Sequence, residues 1–408
     1  MSGAYNGGYR ERPTSPGRSV PKGITARPPT RSVLMHDGRV RLGVAGCGGF
    51  GLFALQQFTQ VPGVALVGMA GTHRPAALAA AARFGVENVD DLADLLRRDD
   101  VDVVYVATPP FLHYQQALAA LDAGKHVIVE KPLALTVAQA DELVAAARRA
   151  DRLLVANLMQ RYNPLFDAVR RLVETRVLGE VLHGTFENYA SDENLPADHW
   201  FWDRAKSGGI FVEHGVHFFD LFAGWLGPGR VQAAQVGVRP GTAIEEHVHA
   251  TVRYGDALVN FYHGFHQAGR MDRQELRLVF ERGDVTLHDW VPTRARVHAL
   301  ADERQTRALC DLFPGARLDV AASYGGPDRA CRGRGKGIDA YQTIDLSFGD
   351  GEAKSPLYGR LLRAMMADQV AWVRDRTHAR VVTEANGRDS LATACAADAL
   401  AHAAGAGR

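Results

Sequence analysis

Residues 42–51 read Leu-Gly-Val-Ala-Gly-Cys-Gly-Gly-Phe-Gly, and this stretch decides the fold. It joins an apolar, strand-like run to a helix-like segment over residues 52–59, with G-x-G-x-x-G at the turn. In a dinucleotide site the first glycine allows the turn, the second lets the backbone approach a pyrophosphate, and the third lets the helix pack on the strand. The positive end of the helix then faces the phosphates. We therefore predict cofactor contacts from Gly46, Gly48, Gly49, Phe50 and Gly51.

Strands and helices alternate around this turn, which is typical of a doubly wound parallel sheet. The predicted strands are 42–46, 64–70, 101–107, 126–130 and 152–156, and the predicted helices lie near 51–59, 75–84, 90–97, 112–123 and 136–149. We assign residues 39–156 to an N-terminal Rossmann domain. Because its ligand lies outside the carboxyl ends of the strands, further predicted cofactor contacts are Thr108, Pro109, His113, Glu130 and Lys131.

The residues after the second strand predict which dinucleotide binds. An NAD site usually has an Asp or Glu there, which accepts a hydrogen bond from the ribose 2′-hydroxyl. This chain has Gly71, Thr72, His73 and Arg74 instead. A hydroxyl, an imidazole and a guanidinium suit a phosphate better than a bare ribose, so we predict that these residues bind NADP, with NAD possible. In the alternative, Arg74 is a solvated residue at a helix start and the site accepts both cofactors.

A second, α+β domain is predicted over residues 157–355. A helix over 164–176 precedes a series of period-2 runs, which indicates a large, mainly antiparallel open sheet backed by helices. The runs are 181–189, 231–238, 247–254, 257–266, 275–281, 284–290 and 294–299. Residues 301–340 read as an irregular, mobile basic loop because of their glycine and arginine content.

The two ends of the chain differ in character. Residues 1–38 hold five prolines among Gly, Ser and Arg, which predicts a disordered tail. Its six basic residues are compatible with two alternatives, an arm that docks on another surface and a solvated tail. Residues 356–408 are predicted to be C-terminal helices that pack back toward the Rossmann domain. Their apolar stripe is read as core and consists of Leu361, Leu362, Met365, Met366, Gln369, Val370 and Val373.

Composition limits the partners and the compartment. The 408 residues suffice for two domains with sizeable cores. A net charge of +1 gives no electrostatic reason to expect nucleic acid or a membrane as partner. The four cysteines form no C-x-x-C pair, which is typical of a reducing compartment. No stretch approaches the roughly 18 apolar residues of a membrane span, and no signal peptide is evident, so we expect a cytoplasmic protein.

Three segments together carry a family resemblance. Residues 108–113 (Thr-Pro-Pro-Phe-Leu-His), 123–132 (Ala-Gly-Lys-His-Val-Ile-Val-Glu-Lys-Pro) and 207–217 (Ser-Gly-Gly-Ile-Phe-Val-Glu-His-Gly-Val-His) follow the glycine turn in order. They resemble the inositol dehydrogenase, glucose-fructose oxidoreductase and MocA family of dinucleotide-dependent oxidoreductases. The resemblance extends from about Arg41 to the final helices and leaves out the N-terminal tail and residues 301–340. It implies a homo-oligomer, a dimer or tetramer, paired through the outer face of the second sheet.

The resemblance also implies the catalytic residues. Lys131 matches the family's catalytic lysine and His217 its catalytic histidine, and the Lys-Pro bond in the family is often cis. Glu213 stands where the family usually has Asp. A histidine that titrates near neutrality suits the proton transfer that accompanies hydride transfer. A lysine ammonium stabilises negative charge on the substrate oxygen, and Glu213 is expected to orient His217 or bind a substrate hydroxyl.

Several other residues are candidates for ligand contact. Arg161 and Tyr162 resemble the family's segment at the domain crossing, so Arg161 is assigned to the cofactor and Tyr162 to the substrate. Trp200 and Trp202 either stack on a sugar ring or fill the core. Six histidines between residues 214 and 266 invite a metal site, but their spacing matches no H-E-x-x-H motif, so none is predicted. The predicted substrate contacts are Lys131, Tyr162, Trp200, Trp202, Glu213 and His217.

The leading functional hypothesis is an NADP-preferring oxidoreductase that interconverts an alcohol and a ketone on a small-molecule substrate, namely a sugar, cyclitol or related polyhydroxylated metabolite. A second hypothesis keeps the cofactor but reduces a C=N or C=C bond, or cleaves a glycoside with NAD recycled in place. A third is a non-enzymatic regulator that senses a dinucleotide, because fold alone does not fix function.

Overall fold

The computed structural model describes residues 38–71, 74–86, 88–89, 91–349 and 353–405. The predicted N-terminal tail falls outside these ranges except for Gly38. Within them no helix is both long and apolar enough to cross a membrane.

The glycine turn belongs to a six-stranded parallel sheet in the order β3-β2-β1-β4-β5-β6. The strands are β1 (Val40–Ala45), β2 (Val64–Ala70), β3 (Asn88–Val89), β4 (Val103–Val106), β5 (His126–Val129) and β6 (Leu154–Ala156). The intervening helices are α1 (Gly49–Phe58), α2 (Arg74–Phe84), α3 (Leu92–Arg97), α4 (Pro110–Asp122) and α5 (Val137–Ala150). The predicted Rossmann fold is confirmed. Only β3 was not predicted, because two residues are too few to show a period.

The sheet order reverses between β1 and β4, and a ligand of a doubly wound sheet binds at this switch point. Strands β4, β5 and β6 are buried along their whole length, as expected for strands covered by helices on both faces. Helix α5 begins at a capping box in which Thr136 accepts from the Gln139 amide and the Gln139 side chain accepts from the Thr136 amide. This local start signal sets the helix that follows the Lys131 segment.

A nine-stranded, mainly antiparallel sheet forms the second half of the molecule, which confirms the predicted α+β architecture. Its order is β14-β17-β13-β12-β11-β7-β10-β9-β8, and β7 and β10 form its one parallel pair among the described strands. The strands are β7 (Val181–Ser191), β8 (Gly229–Val238), β9 (Glu245–Tyr254), β10 (Ala257–Gln267), β11 (Arg273–Phe280), β12 (Gly283–His288), β13 (Arg294–Ala301), β14 (Arg317–Ser323) and β17 (Gln342–Phe348).

The prediction of an irregular loop over residues 301–340 is wrong. Helix α9 (Glu303–Leu312) starts at a capping box formed by Asp302 and Gln305, and β14 follows it in the sheet. Strands β15 (Ala330–Gly333) and β16 (Lys336–Asp339) form a separate hairpin. Its turn has Arg334 and Gly335 at φ of 52° and 75°, so the glycine and arginine content marks a tight hairpin turn.

Helices cover the inner face of the large sheet. Helix α6 (Pro164–Thr175), the short α7 (Arg204–Ser207) and α8 (Val216–Leu226) precede most of its strands. Helix α8 is buried almost all round, and its Phe218 ring stacks on Phe186 of β7. Each such buried aromatic side chain contributes about 2–3 kcal/mol to the free energy of folding. This layer fixes the start of α8, where His217 lies.

Two long helices, α10 (Lys354–Arg374) and α11 (Glu384–Gly405), end the described chain. The apolar stripe predicted as core in α10 is buried. Arg374 donates to the Gly63 carbonyl at 3.0 Å, and the Tyr358 ring lies 5.7 Å from that of Phe50 in the glycine turn. These contacts join the C-terminal helices to the first sheet.

Candidate active site

The glycine turn has the backbone that the sequence pattern requires. Gly46 has φ of +107°, and a Cβ there would lie 2.7 Å from the carbonyl carbon and oxygen of Ala107. At Gly51 a Cβ would lie 2.8 Å from the Ala107 Cβ, so this glycine lets α1 approach β4. At Gly48 a Cβ would meet nothing within 4 Å. Gly48 is also the N-cap of α1 and offers no side-chain hydrogen bond, so the free amides and the open space fit a pyrophosphate.

Gly46→Ala is expected to lower the free energy of unfolding by about 2–4 kcal/mol, because an L residue is strained at this φ and its Cβ meets fixed backbone. Gly48→Ala is the matched control, since its Cβ enters open space and the same methyl group is added two residues away. Urea unfolding of both variants checks this. Equal stability of the two variants would contradict the description of the turn.

The predicted NADP-selecting residues are only partly described. Gly71 follows β2, and a Cβ there would lie 3.0 Å from the Ala77 Cβ and 3.1 Å from the Cys47 sulfur. Gly71 is therefore packed against the glycine turn. Thr72 and His73 lie outside the described residues, and only the backbone of Arg74, at the first position of α2, is described. Their contact with a 2′-phosphate stays a prediction.

The ends of β4 and β5 are tied together by a buried histidine. The His113 ring nitrogens lie 2.7 Å from the carbonyl oxygens of Pro132 and Thr108. Burial lowers the pKa of His113, although the two carbonyl oxygens raise it. Pro109 is the N-cap of α4, and the Thr108 hydroxyl donates to Gln116 Oε1 at 2.8 Å. His113, predicted as a cofactor contact, thus holds the segment that carries Lys131 through the Pro132 carbonyl.

Glu130 lies in a buried hydrogen-bond network. Asn157 Nδ2 donates to Glu130 Oε1 at 2.7 Å, and the Tyr105 hydroxyl donates to the same oxygen. Burial raises the pKa of Glu130, and the two hydrogen bonds and Lys131 oppose that rise. The side chain is therefore held between β4, which carries Tyr105, and the residue that follows β6, Asn157. Its predicted contact with a cofactor stays untested.

Lys131 meets Glu213 across the two halves of the molecule. The Lys131 ammonium donates to the Glu213 backbone carbonyl at 2.9 Å and forms an ion pair with Glu213 Oε1. The Lys131–Pro132 peptide bond is cis. Glu213 lies in a π-helical turn, Phe211–Gly215, a rare element that often occurs at functional sites. Glu213, which stands where the resemblance expects Asp, thus contacts the lysine.

The turn that carries Glu213 is set by two glycines with positive φ, Gly208 at 82° and Gly209 at 85°. A Cβ on Gly209 would lie 3.0 Å from Glu245 Oε2 and 3.1 Å from Asp398 Oδ1. Arg204 forms ion pairs with both carboxylates. The glycine pair is therefore held against charged groups of β9 and α11.

His217 is buried, at 4% exposure, and its Nδ1 has no hydrogen-bond partner. Burial lowers its pKa well below the ordinary value, and the nearby Lys131 charge lowers it further. An ordinary histidine titrates near neutrality, whereas burial places the pKa of His217 below that range. With its pKa lowered in this way, the resting ring is uncharged at neutral pH and can accept a proton. No hydrogen bond joins it to Glu213 among the described contacts, so an orienting role for Glu213 is not supported by the geometry.

Four predicted contact residues have partners within the protein. Arg161 Nε donates to Asp220 Oδ2 at 2.7 Å, and the Tyr162 hydroxyl donates to Asp368 Oδ2 at 2.6 Å. Burial raises the pKa of Tyr162. The other two are Trp202, which donates to the Leu195 carbonyl at 3.1 Å, and Trp200, which packs on the His199 ring at 5.1 Å. Their contacts with cofactor or substrate stay predictions.

Trp290 was not predicted as a site residue. Its ring lies 4.9 Å from that of His217, and its indole N–H donates to His214 Nε2 at 3.2 Å. It lies two residues after the end of β12, and no sequence motif includes it. The only feature of the sequence that pointed to it was its position at the end of the strand predicted over 284–290. His214 and His263, considered for a metal, instead contact each other at 2.9 Å between their Nδ1 atoms.

One group of possible metal ligands occurs among the described residues, far along the chain from the glycine turn. Glu245, Asp398 and His402 offer ligand atoms within 4.8 Å of one another. Arg204 Nε lies 2.9 Å from Glu245 Oε1, and Arg204 Nη2 lies 2.5 Å from Asp398 Oδ2. The guanidinium thus already balances the charge of the two carboxylates.

Comparison with known families identifies both halves of the molecule. Residues 40–158 match the oxidoreductase family with an NAD-binding Rossmann fold, GFO_IDH_MocA. Residues 166–286 match the GFO/IDH/MocA C-terminal domain. The two matches cover the glycine turn, Lys131, Glu213 and His217 in a single family.

Curated relatives match the chain in part. A glycosyl hydrolase family 109 protein of Shewanella sp. (strain W3-18-1) is 30% identical over 197 residues, 43% of this chain and 42% of that protein. The dTDP-3,4-didehydro-2,6-dideoxy-alpha-D-glucose 3-reductase of Actinomadura kijaniata is 38% identical over 143 residues, 35% of this chain and 43% of that protein. The matched part thus spans less than half the length of these relatives.

Solved structures share the fold over most of the chain. The WlbA dehydrogenase of Bordetella pertussis, in complex with NADH and UDP-GlcNAcA, has a TM-score of 0.71 at 20% identity and covers 90% of this chain and 97% of its own. The 3-ketoreductase KijD10 of Actinomadura kijaniata, in complex with NADP and TDP-benzene, has a TM-score of 0.67 at 22% identity and covers 89% and 97%. At these identities the likeness shows the fold alone.

Proposed function

Since the chain belongs to the GFO/IDH/MocA family of oxidoreductases, we propose that it transfers hydride between NADP and an alcohol or ketone carbon of a sugar, cyclitol or related polyhydroxylated metabolite. One observation carries the proposal: Lys131 and Glu213 form an ion pair beside the buried, uncharged His217. This cluster lies at the carboxyl end of β5, on the same edge of the sheet as the glycine turn.

The described residues fit a dinucleotide. Gly46, Gly48 and Gly51 would hold the pyrophosphate over the start of α1, and residues 71–74 would face the adenosine ribose. The nicotinamide, when bound, supplies or accepts the hydride. All other steps belong to side chains of the chain itself.

Lys131 and His217 have separate roles in this scheme. In the oxidation direction, uncharged His217 accepts the hydroxyl proton of the substrate as the hydride leaves the same carbon. The Lys131 ammonium stabilises the negative charge that develops on the oxygen. In the reduction direction the same transition state is crossed in reverse, so the protonated form of His217 returns the proton to the oxygen as the hydride arrives at the carbon. The Lys131 ammonium, paired with Glu213, stabilises the charge on that oxygen in both directions.

Related proteins support a polyhydroxylated substrate. The WlbA dehydrogenase was solved with UDP-GlcNAcA, and the relative from Actinomadura kijaniata is a reductase of a dTDP-linked glucose derivative. A levoglucosan dehydrogenase of the same fold was solved with levoglucosan. Sugar hydroxyls both donate and accept hydrogen bonds, and we propose that they contact Lys131, Glu213 and the half-buried Trp200. Homo-oligomeric assembly and a cytoplasmic location stay predictions from the sequence.

A second candidate function is glycoside cleavage with the dinucleotide recycled in place, because a glycosyl hydrolase family 109 protein matches the chain. The absorbance of reduced nicotinamide distinguishes the two candidates. An oxidoreductase changes it in proportion to product, whereas recycling leaves it constant while the glycoside is consumed. Reduction of a C=N or C=C bond also consumes NADPH and is therefore detected by the same absorbance. It differs from ketone reduction in that no alcohol is formed. A regulator would show neither change.

NADP(H) is expected to raise the melting temperature more than NAD(H) at equal concentration. The physical reason is that residues 71–74 lack a carboxylate to repel a 2′-phosphate and include a guanidinium to bind it. A tenfold preference corresponds to about 1.4 kcal/mol of additional stabilisation at saturating concentrations. Arg74→Ala is expected to reduce the NADP shift and leave the NAD shift unchanged. Stabilisation by NAD alone would overturn the proposed preference.

A further inference from the structure

A chain of three rings, the half-buried Trp290 and the buried His214 and His263, lies beside His217. The Trp290 indole N–H donates to His214 Nε2 at 3.2 Å, and His214 Nδ1 lies 2.9 Å from His263 Nδ1. His263 is fully buried and His214 is 9% exposed. His214 neighbours Glu213 in the π-helical turn, whereas His263 belongs to β10. The chain thus ties the turn that carries Glu213 to the large sheet and to Trp290.

The donor capacity of Trp290 fixes the proton positions in this chain. An indole nitrogen only donates, so His214 Nε2 must be the acceptor. A neutral His214 then carries its proton on Nδ1 and donates to His263 Nδ1. His263 in turn carries its proton on Nε2, where the structure shows a buried nitrogen with no partner. Burial lowers the pKa of His263 to about 3 and that of His214 well below its ordinary value, so both rings are neutral.

Trp290 also contacts His217 itself. The two ring centroids lie 4.9 Å apart with an interplanar angle of 82°, an edge-to-face geometry. His217 Nδ1 is buried without a partner, so no hydrogen bond at that atom restrains its ring. On its other side Trp290 lies 5.7 Å from Tyr358, which contacts Phe50 of the glycine turn. The indole therefore connects His217 to the proposed cofactor turn.

On the basis of the proposed function, we infer that Trp290 is a positioning residue for proton transfer. Its ring holds the His217 imidazole, and its N–H, through His214 and His263, holds the turn that places Glu213 against Lys131. The ring and the N–H are separable. Phe at this position keeps an aromatic ring beside His217 and loses the hydrogen bond, whereas Leu loses both.

The proton positions can be read in the ligand-free protein by ¹⁵N NMR with labelled histidine, independently of any substrate. In the wild type, His214 is expected in the Nδ1–H form and His263 in the Nε2–H form, with signals assigned from His214→Gln and His263→Gln variants. Trp290→Phe is expected to release His214 into a mixture of both forms. Trp225→Phe is the matched control, because Trp225 is buried and donates to the Phe166 carbonyl at 3.0 Å, away from His217.

Turnover gives the second readout. Trp290→Leu is expected to lower kcat about 10- to 100-fold, since small misplacements of a catalytic group have such effects. The acid limb of the pH profile of Trp290→Leu is expected to move to higher pH, because water admitted beside His217 raises the pKa that burial had lowered. The Lys131 charge also lowers this pKa, and it is present in both proteins. Trp225→Phe should leave kcat and the pH profile unchanged.

Two results would overturn the inference. One is a wild-type His214 protonated on Nε2, which excludes the indole as its donor. The other is a folded Trp290→Leu protein with wild-type kcat and pH profile. Absence of any dinucleotide-dependent turnover in the wild type would instead count against the proposed function, and the NMR result would still test the hydrogen-bonded chain.

Discussion

Lys131→Met is expected to lower kcat about 1,000-fold while the dissociation constant for NADPH changes little. The ammonium is the group that stabilises charge on the substrate oxygen in both directions, and removal of one such group costs about 10²- to 10³-fold. Cofactor affinity is retained because the glycine turn and residues 71–74 supply the proposed phosphate contacts. Steady-state turnover and an NADPH titration on the same preparations separate the two effects.

The control for Lys131→Met is a double variant that also removes the charge of Glu213, the ion-pair partner of Lys131. Glu213 is 8% exposed, and its carboxylate loses its cation in the single variant, which costs about 3–5 kcal/mol when a buried pair is broken. The double variant Lys131→Met/Glu213→Gln removes both charges and is expected to regain much of that stability without regaining turnover. Turnover that returns with stability would mean that the lysine acts only through folding.

His217→Asn is expected to lower kcat for alcohol oxidation by about 10²- to 10⁴-fold, the usual value of a positioned general base. The wild-type rate of oxidation should fall with acid only at a pH well below the ordinary pKa of histidine. The sign follows from burial, which lowers the pKa of His217, so the ring stays neutral and able to accept a proton until the solution is distinctly acidic.

The pH profile of His217→Asn provides the check. The acid limb assigned to His217 should disappear from the residual activity. Loss of fold is tested by urea unfolding of the variant, in which no hydrogen bond of His217 Nδ1 is lost. The catalytic efficiency of reduction should fall by a similar factor, since both directions cross the same transition state and the variant does not change the equilibrium constant of the reaction. An unchanged acid limb in the variant would assign the base to another residue.

The sequence predicted the parts of this protein that local patterns encode. The G-x-G-x-x-G turn, with the strand before it and the helix after it, was sufficient for the Rossmann sheet, and the structure explains why Gly46 and Gly51 are required there. The order of three motifs, together with the family resemblance, brought Lys131, Glu213 and His217 to one site.

Features that depend on packing could not be read in the same way. Strand β14 was missed because most of its residues are exposed on both faces, so it shows no alternation. Trp290 lies near His217 only because the large sheet folds over α8, and no spacing encodes that contact. The lowered pKa of His217 could not be read for a related reason, since depth of burial is a property of the tertiary structure.

Titration of the protein with NADPH, in the wild type and in Gly48→Ala, tests the central claim most directly. The claim is that the open space at Gly48 receives the pyrophosphate of a dinucleotide that reaches Lys131. We predict saturable binding of one NADPH per chain in the wild type, and binding weakened at least about tenfold in Gly48→Ala, where a methyl group fills the space without affecting the fold. Equal NADPH affinity in the two proteins, or no binding to the wild type, would contradict it.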